Sequence, residues 1–314
     1  MVDQRPGHHD GAPFILDRHG NRTQGHDDSR RTAELREGLL RHEGVMVTTA
    51  DATQDDLERI VETLHERAYL DALRQIDSEE PTIMPQWAPP GLLADSPIWA
   101  GVVSTAFEGM RTAITAAHRV ISGERFTYAL SRPPGHHAGP GWCGGYCYLN
   151  TAAAAAYTLC EGGLRPVAIL DVDFHFPTGT SAIVKPLADV MLGSLHACTL
   201  DEVPWRQVQP GERECFIEFE QAPTVEIYLD SLERMLAEFA QRSRGLVLSL
   251  GYDTVASDPH GSWDFPPRIF QRMGTTLAAS DLPICVVQEG GYSLEALAEC
   301  SHAFATGLLG GDGT

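Results

Sequence analysis

Apolar residues recur along this chain with two different periods, and the change of period marks its organisation. Between about residues 29 and 121 apolar positions return every three or four residues, predicting helices over 29–40, 54–76 and 96–121. From residue 126 onward short apolar runs appear at 126–130, 167–170, 190–196, 246–250 and 284–287. Runs this short predict strands covered on both faces. Helical patterns over 149–160, 225–242, 267–279 and 294–309 lie between or after them. This alternation predicts an α/β protein: three layers, αβα, around a central, mostly parallel sheet. No internal repeat or clear linker divides it. Residues 1–25 are polar, with Pro, Gly and His throughout, and are expected to form an irregular N-terminal arm before a single domain over 26–314. Pro81, Pro85, Pro89 and Pro90 within 77–97 predict a long loop.

Open parallel sheets bind ligands beyond the carboxyl ends of their strands. Four predicted strands are followed there by residues that carry chemistry: Gly135, His136 and His137; Asp171, Asp173 and His175; Asp253 and Asp258; and Glu289, Gly290, Gly291 and Tyr292. Asp173 and His175 are two apart, so on extended backbone they leave the same face and offer a carboxylate and an imidazole to one ion. In isolation the pattern is equally compatible with a structural or solvated role. Four such turns on one edge point to a site. Asp173, His175 and Asp258 would give one nitrogen and two carboxylates with a coordination position left open, the arrangement of a catalytic zinc. Such a metal lowers the pKa of water to about 7 and polarises a carbonyl. The adjacent His136 and His137 offer a base, and the Tyr292 phenol a donor to a tetrahedral oxyanion. Together these parts predict metal-assisted hydrolysis of an amide or ester.

Charge narrows the partners. The net charge is −20 and Lys185 is the only lysine, which excludes a nucleic-acid partner, whose affinity comes mostly from cationic side chains. The acidity suits cationic ligands, or serves solubility alone. No leader-like segment or membrane-spanning run is read, and seven cysteines are scattered, so a reducing cytoplasm and no membrane partner are expected. Cys143 and Cys147 lack further ligands at zinc-finger spacing and are read as packed thiols. The His8 and His9 pair is read as solvated tail, His196 as structural, and His260 as a candidate for the mouth of the site. Trp142, Trp205 and Trp263 are read as packing or rim residues.

The segments Arg132 to Ala138, Gly145 to Asn150, Asp171 to His175, Gly193 to His196, Asp253 to Pro259 and Glu289 to Tyr292 resemble the histone deacetylase family, within the arginase/deacetylase fold. Class II deacetylases and bacterial acetylpolyamine amidohydrolases are the branches it resembles most, and Glu289 before Gly-Gly-Tyr favours them. The resemblance implies that Asp173, His175 and Asp258 bind zinc and that His137 is the general base. It implies an electrostatic role for His136, oriented by Asp171, and Tyr292 as the group that polarises the acyl carbonyl. The Gly145 carbonyl would accept the substrate N–H, with Tyr146 as one wall of the tunnel and Val203 in place of the second aromatic wall. A structural potassium ion is implied near Asp171, Ser194 and the carbonyls of Asp173, His175 and Leu195.

The substrate implied is a small-molecule acylated amine such as an acetylpolyamine. Protein acetyl-lysine and a secondary-metabolite amide are alternatives. Asp77, Glu79 and Glu80 are read either as a solvated run or as the holders of a distal ammonium. A homodimer that closes the tunnel is also implied. Two-metal chemistry of arginase type would need further Asp and His ligands. Where the family has a His-Gly-x run after its zinc-binding histidine, this chain has Phe176, Pro177 and Thr178. That departure predicts a different loop beside His175 and weaker support for His137, and it raises a second class of reading, a catalytically weak, metal-retaining binding protein.

Overall fold

A computed structural model describes residues 1–4, 11–198 and 210–310. Its strands are β1 (Val2–Asp3), β2 (Phe14–Leu16), β3 (Arg22–Gln24), β4 (Thr48–Thr49), β5 (Phe126–Leu130), β6 (Val167–Asp171), β7 (Val190–Ala197), β8 (Glu214–Phe219), β9 (Gly245–Leu250) and β10 (Ile284–Gln288). Its helices are α1 (Arg30–Leu40), α2 (Gln54–Leu64), α3 (Arg67–Arg74), α4 (Ala100–Ile121), α5 (Thr151–Glu161), α6 (Thr178–Val184), α7 (Val225–Arg242), α8 (Arg268–Ala278) and α9 (Leu294–Leu309). Eight strands form one sheet in the order β4-β1-β5-β10-β9-β6-β7-β8. Every pairing in it is parallel.

The short apolar runs are explained by burial on both faces. Along β6, Ala168 and Leu170 enter the core shared with α1, α7, α8 and α9. Val167 and Ile169 enter the opposite core, against α4 and α5. β9 and β10 alternate in the same way, with Leu246, Leu248, Ile284 and Val286 on one side and Val247, Cys285 and Val287 on the other. The predicted three-layer αβα sandwich is the observed architecture. No helix among the described residues is long and apolar enough to cross a membrane.

Three departures from the predicted elements bear on the site. First, the helix expected over 54–76 is two helices broken at His65 and Glu66, both extended. Asn150 N–H donates to His65 Nε2, which leaves Nδ1–H to donate to the Gly139 carbonyl (2.9 Å), while Glu66 N–H donates to the Pro140 carbonyl. Those tertiary bonds replace the helical ones. Second, residues 96–99, expected as the first turn of a helix, stay outside α4, which begins at Ala100. Third, the segment expected to be an irregular arm carries β1, which lies between β4 and β5, and the antiparallel hairpin β2–β3. A two-residue strand has no periodicity to read, and only its partners reveal it. β8, α6 and β4 were also not predicted. β8 is a half-buried edge strand, and α6 starts directly behind Pro177.

Candidate active site

The carboxyl ends of β5, β6, β9 and β10 bring the predicted chemistry to one cavity of about 560 Å³, lined by His136, His137, Asp173, His175, Gly145, Tyr146, His260 and Tyr292, with hairpin residues such as Ile15 and Leu16 at its rim. β6 runs straight into the first cluster. Asp171 Oδ1 accepts Asp173 N–H (3.1 Å), and Asp173 Oδ1 accepts His175 N–H (2.9 Å). Each carboxylate caps the next step of the same loop, which fixes the chain as it leaves the sheet. Asp173 Oδ2 accepts Gly290 N–H (2.9 Å), tying this loop to the one after β10. A Cβ at residue 290 would lie 2.6 Å from Asp173 Oδ2 and 2.7 Å from Asp253 Oδ2, so glycine there is a steric requirement of two close carboxylates.

Beside the expected ligands the structure places a further carboxylate, Asp253. Asp173, His175 and Asp253 form a buried group whose ligand atoms all lie within 4.8 Å of one another. His175 Nδ1 is 3.0 Å from both Asp173 Oδ1 and Asp253 Oδ2. Asp253 Oδ1 accepts Phe174 N–H, whereas Asp253 Oδ2 is buried and receives no hydrogen bond. Asp258, the expected third ligand, accepts backbone N–H groups on both oxygens. Its Oδ1 accepts His260 N–H (2.9 Å), and its Oδ2 accepts the N–H groups of Tyr292 (2.6 Å) and Ser293 (3.0 Å). It shapes the turn that carries Tyr292. Both aspartates follow β9, and spacing alone does not choose between them.

The residues present fit a divalent cation. One nitrogen and two carboxylates suit zinc, and Asp253 Oδ2 is an orphaned acceptor aimed at the other donors. Burial, then the neighbouring Asp173, push the Asp253 carboxyl up to about 7. A cation between the carboxylates relieves that repulsion.

The two imidazoles after β5 are held in different states. His136 Nδ1 pairs with Asp171 Oδ2 (3.2 Å), and its Nε2 is 3.6 Å from Asp173 Oδ1. Burial opposes its charge, but Asp173 and Asp171 outweigh burial and raise it to about 10. His137, whose ring centroid is 4.1 Å from that of His136, is driven well below its ordinary value by burial and by the charges on His136 and His175. The surroundings thus favour charge on His136 and oppose it on His137. The loop that bears them is anchored by Glu289, whose Oε2 accepts the N–H groups of Gly135 (2.7 Å) and His136 (3.0 Å) and whose Oε1 accepts the Ser249 hydroxyl (2.9 Å). From sequence Glu289 was read only as a mark of the branch.

Arg31 was missed. Buried at 1% exposure, it donates through Nε to the Gly291 carbonyl and through Nη2 to the Glu289 carbonyl, and pairs with Asp27 at 2.7 Å. Its guanidinium lies 4.4 Å over the Tyr292 ring. Its only sequence signal was an arginine on the apolar face of α1. Tyr292 also packs against His260 (4.7 Å) and Tyr146 (5.5 Å). Burial raises its phenol well above the ordinary value, so it stays a proton donor.

The remaining expected residues are placed as follows. Gly145 and Tyr146 line the cavity. Asp171 and Ser194 are register neighbours on β6 and β7, Ser194 Oγ lies 2.9 Å from His196 Nδ1, and Leu195 enters the core. Phe176 is buried against His196 and Phe216, with ring centroids 5.0 Å away in each case. Thr178 Oγ1 donates to the Phe176 carbonyl at 3.4 Å. Cys143 and Cys147 are buried free thiols. Asp77, Glu79 and Glu80 are exposed and outside the cavity lining. Val203, Trp205, His8 and His9 lie outside the described residues.

Against known proteins, the Histone deacetylase domain matches residues 27–308. The chain belongs to the histone deacetylase family. An acetylpolyamine amidohydrolase of Mycoplana ramosa is 36% identical over 213 residues, 64% of this chain and 62% of that protein. The matched stretch thus spans less than two thirds of that relative. A histone deacetylase-like amidohydrolase of Pseudomonas aeruginosa is 27% identical over 308 residues, 91% of this chain and 77% of that protein. The crystal structure of an acetylpolyamine aminohydrolase from Burkholderia pseudomallei superposes with a TM-score of 0.82 at 26% identity, covering 96% of each chain. The sheet and its flanking helices are therefore those of the arginase/deacetylase fold.

Proposed function

We propose that this protein is a zinc-dependent deacetylase that hydrolyses the amide of a small acylated amine, of the acetylpolyamine kind. The observation that carries it is the buried Asp173, His175 and Asp253 group, with its orphaned carboxylate oxygen, facing the His136 and His137 pair. Asp173, His175 and Asp258 would hold the zinc, with Asp253 as a further carboxylate beside them. Bound there, zinc polarises the acyl carbonyl and acidifies water.

The chain's own residues do the rest. The neutral His137 imidazole takes the proton of the attacking water and later delivers it to the leaving amine. His136, its Nδ1–H held on Asp171 Oδ2, keeps a positive charge beside the oxyanion. The Tyr292 phenol donates to that oxyanion from a turn fixed by Asp258 and Arg31. The Gly145 carbonyl accepts the substrate N–H, and Tyr146 packs along the chain of the amine. The same reading places a structural potassium ion where β6 and β7 bring Asp171 and Ser194 together, with carbonyls from Asp173, His175 and Leu195.

Turnover of N-acetylputrescine, N-acetylcadaverine, acetylspermidine and acetyl-lysine peptides by zinc-loaded protein tests the proposal. Hydrolysis of the small amines ahead of the peptides is expected. One zinc per chain with no turnover of any of them would favour the second reading, a metal-retaining binder. That reading is motivated by Thr178, whose hydroxyl is spent on the Phe176 carbonyl.

A further inference from the structure

Gly144 to Cys147 form a tight reversal in which Gly144 N–H donates to the Cys147 carbonyl (3.0 Å) and Cys147 N–H to the Gly144 carbonyl (2.9 Å). Its two central residues both have positive φ, 54° at Gly145 and 65° at Tyr146, as a type I′ turn requires. Glycine adopts this conformation freely. Tyrosine does so under steric strain and needs its surroundings to impose it. Such a turn also directs the N–H groups of both central residues outward. Tyr146 is only 2% exposed, so water does not satisfy them.

Two consecutive residues of a remote segment receive both. Asp95 accepts Gly145 N–H (3.0 Å to Oδ1, 3.2 Å to Oδ2), and Ser96 Oγ accepts Tyr146 N–H (2.8 Å). Ser96 Oγ–H in turn donates to Asp95 Oδ1 (2.8 Å), so the four groups form one closed relay. The frame is tied on both sides. The Asp95 carbonyl accepts Leu16 N–H from the rim hairpin (2.9 Å), and the Pro97 carbonyl accepts the Tyr148 hydroxyl (2.7 Å). These bonds also account for the late start of α4.

We propose that Asp95 and Ser96 are positioning residues that hold the Gly145 and Tyr146 turn in its left-handed conformation, and so aim the Gly145 carbonyl at the substrate amide N–H. This rests on the deacetylase reading above. It predicts a defect that depends on the N–H of the substrate. An ester of the same shape has no N–H for Gly145 to receive, so misdirecting that carbonyl harms the amide selectively.

The experiment compares Asp95→Ala, Asp95→Asn and Ser96→Ala, each zinc-loaded, on N-acetylputrescine and on the O-acetyl ester of 4-aminobutanol. For Asp95→Ala, kcat/KM on the amide should fall about 100-fold, with zinc content unchanged and only a small loss on the ester. Asp95→Asn, which keeps an acceptor oxygen, should lose less than Asp95→Ala. Ser96→Ala, the milder truncation, should show the same amide-selective pattern and guards against a folding failure of Asp95→Ala. Equal losses on amide and ester would overturn the proposal, leaving a merely structural role. So would a loss that tracks the number of positive charges on the amine, which would make Asp95 a direct ion-pair partner. Hydrogen exchange of the Gly145 and Tyr146 amides gives a readout independent of turnover. Protection at both should fall in the Asp95 and Ser96 variants, and unchanged protection would overturn the relay even if the wild-type protein hydrolyses neither substrate.

Discussion

The floor of the cavity and its mouth are built in opposite ways. On the floor, Asp171, Asp173 and His175 follow one strand and hold each other through backbone N–H groups two residues away. At the mouth, Tyr146 depends on Ser96, fifty residues earlier, and its hydroxyl accepts His26 N–H (3.1 Å) and meets His260 Nε2 (3.3 Å). The floor is a local motif completed by two neighbouring strand ends. The mouth is a convergence of segments that carry little chemistry individually. The chemistry-bearing part is thus anchored first by its own strand, whereas the selective part depends on long-range contacts throughout.

The largest effect that would break this comparison concerns the third metal donor. Asp258→Ala should lose bound zinc and lower kcat/KM by about 1,000-fold or more, since a metal supplies several kcal/mol of transition-state stabilisation. Asp253→Asn should keep one zinc per chain by metal analysis. If the two variants behave the other way round, the floor has been read wrongly. Next in size, Tyr292→Phe should reduce kcat about 100- to 1,000-fold, the range for losing one oxyanion donor, with zinc retained.

A smaller effect addresses the joints between floor and mouth. Burial lowers the His65 imidazole to about 4, and the ring is held neutral between Gly139 and Asn150. In the unfolded chain it binds a proton near its ordinary value. The stability due to neutral His65 is therefore complete above about pH 6.5 and lost as the pH falls toward 4, by roughly 3 kcal/mol in all. His65→Gln should shrink the difference in unfolding free energy between pH 7 and pH 4, measured by denaturant titration at each pH. An undiminished difference would remove His65 as the acid-sensitive joint. The smallest effect is expected at the exposed acidic loop. Replacing Asp77, Glu79 and Glu80 together by their amides should leave kcat/KM for N-acetylputrescine nearly unchanged, because none of the three lines the cavity. A large rise in KM would bring that loop into the mouth.

The fold was legible because its central strands are buried on both faces and its helices on one. Each burial pattern leaves a period in the sequence that no distant contact has to supply. His136, His137, Asp173, His175 and Tyr292 were legible for a related reason: the carboxyl edge of a parallel sheet collects whatever follows its strands. Asp253 and Arg31 were not. Asp253 and Asp258 follow the same strand, and only the course of the loop separates a carboxylate facing His175 from one that accepts the N–H groups of His260, Tyr292 and Ser293. Arg31 occupies a helix face that looks like ordinary core until its guanidinium is seen to meet the carbonyls of Glu289 and Gly291.

By itself, then, the sequence determined the layers of this protein, the edge on which its chemistry lies and most of the groups that perform it. Periodicity and strand-end position are local properties, set by which side chains must leave water. Only the tertiary structure decided where Asp253 lies relative to His175, how the surroundings of His136 and His137 differ, and what holds Gly145 and Tyr146 in a strained turn. Those outcomes depend on distances of a few ångströms between segments far apart in the chain, where burial strengthens every charge and every unpaired N–H must find a partner.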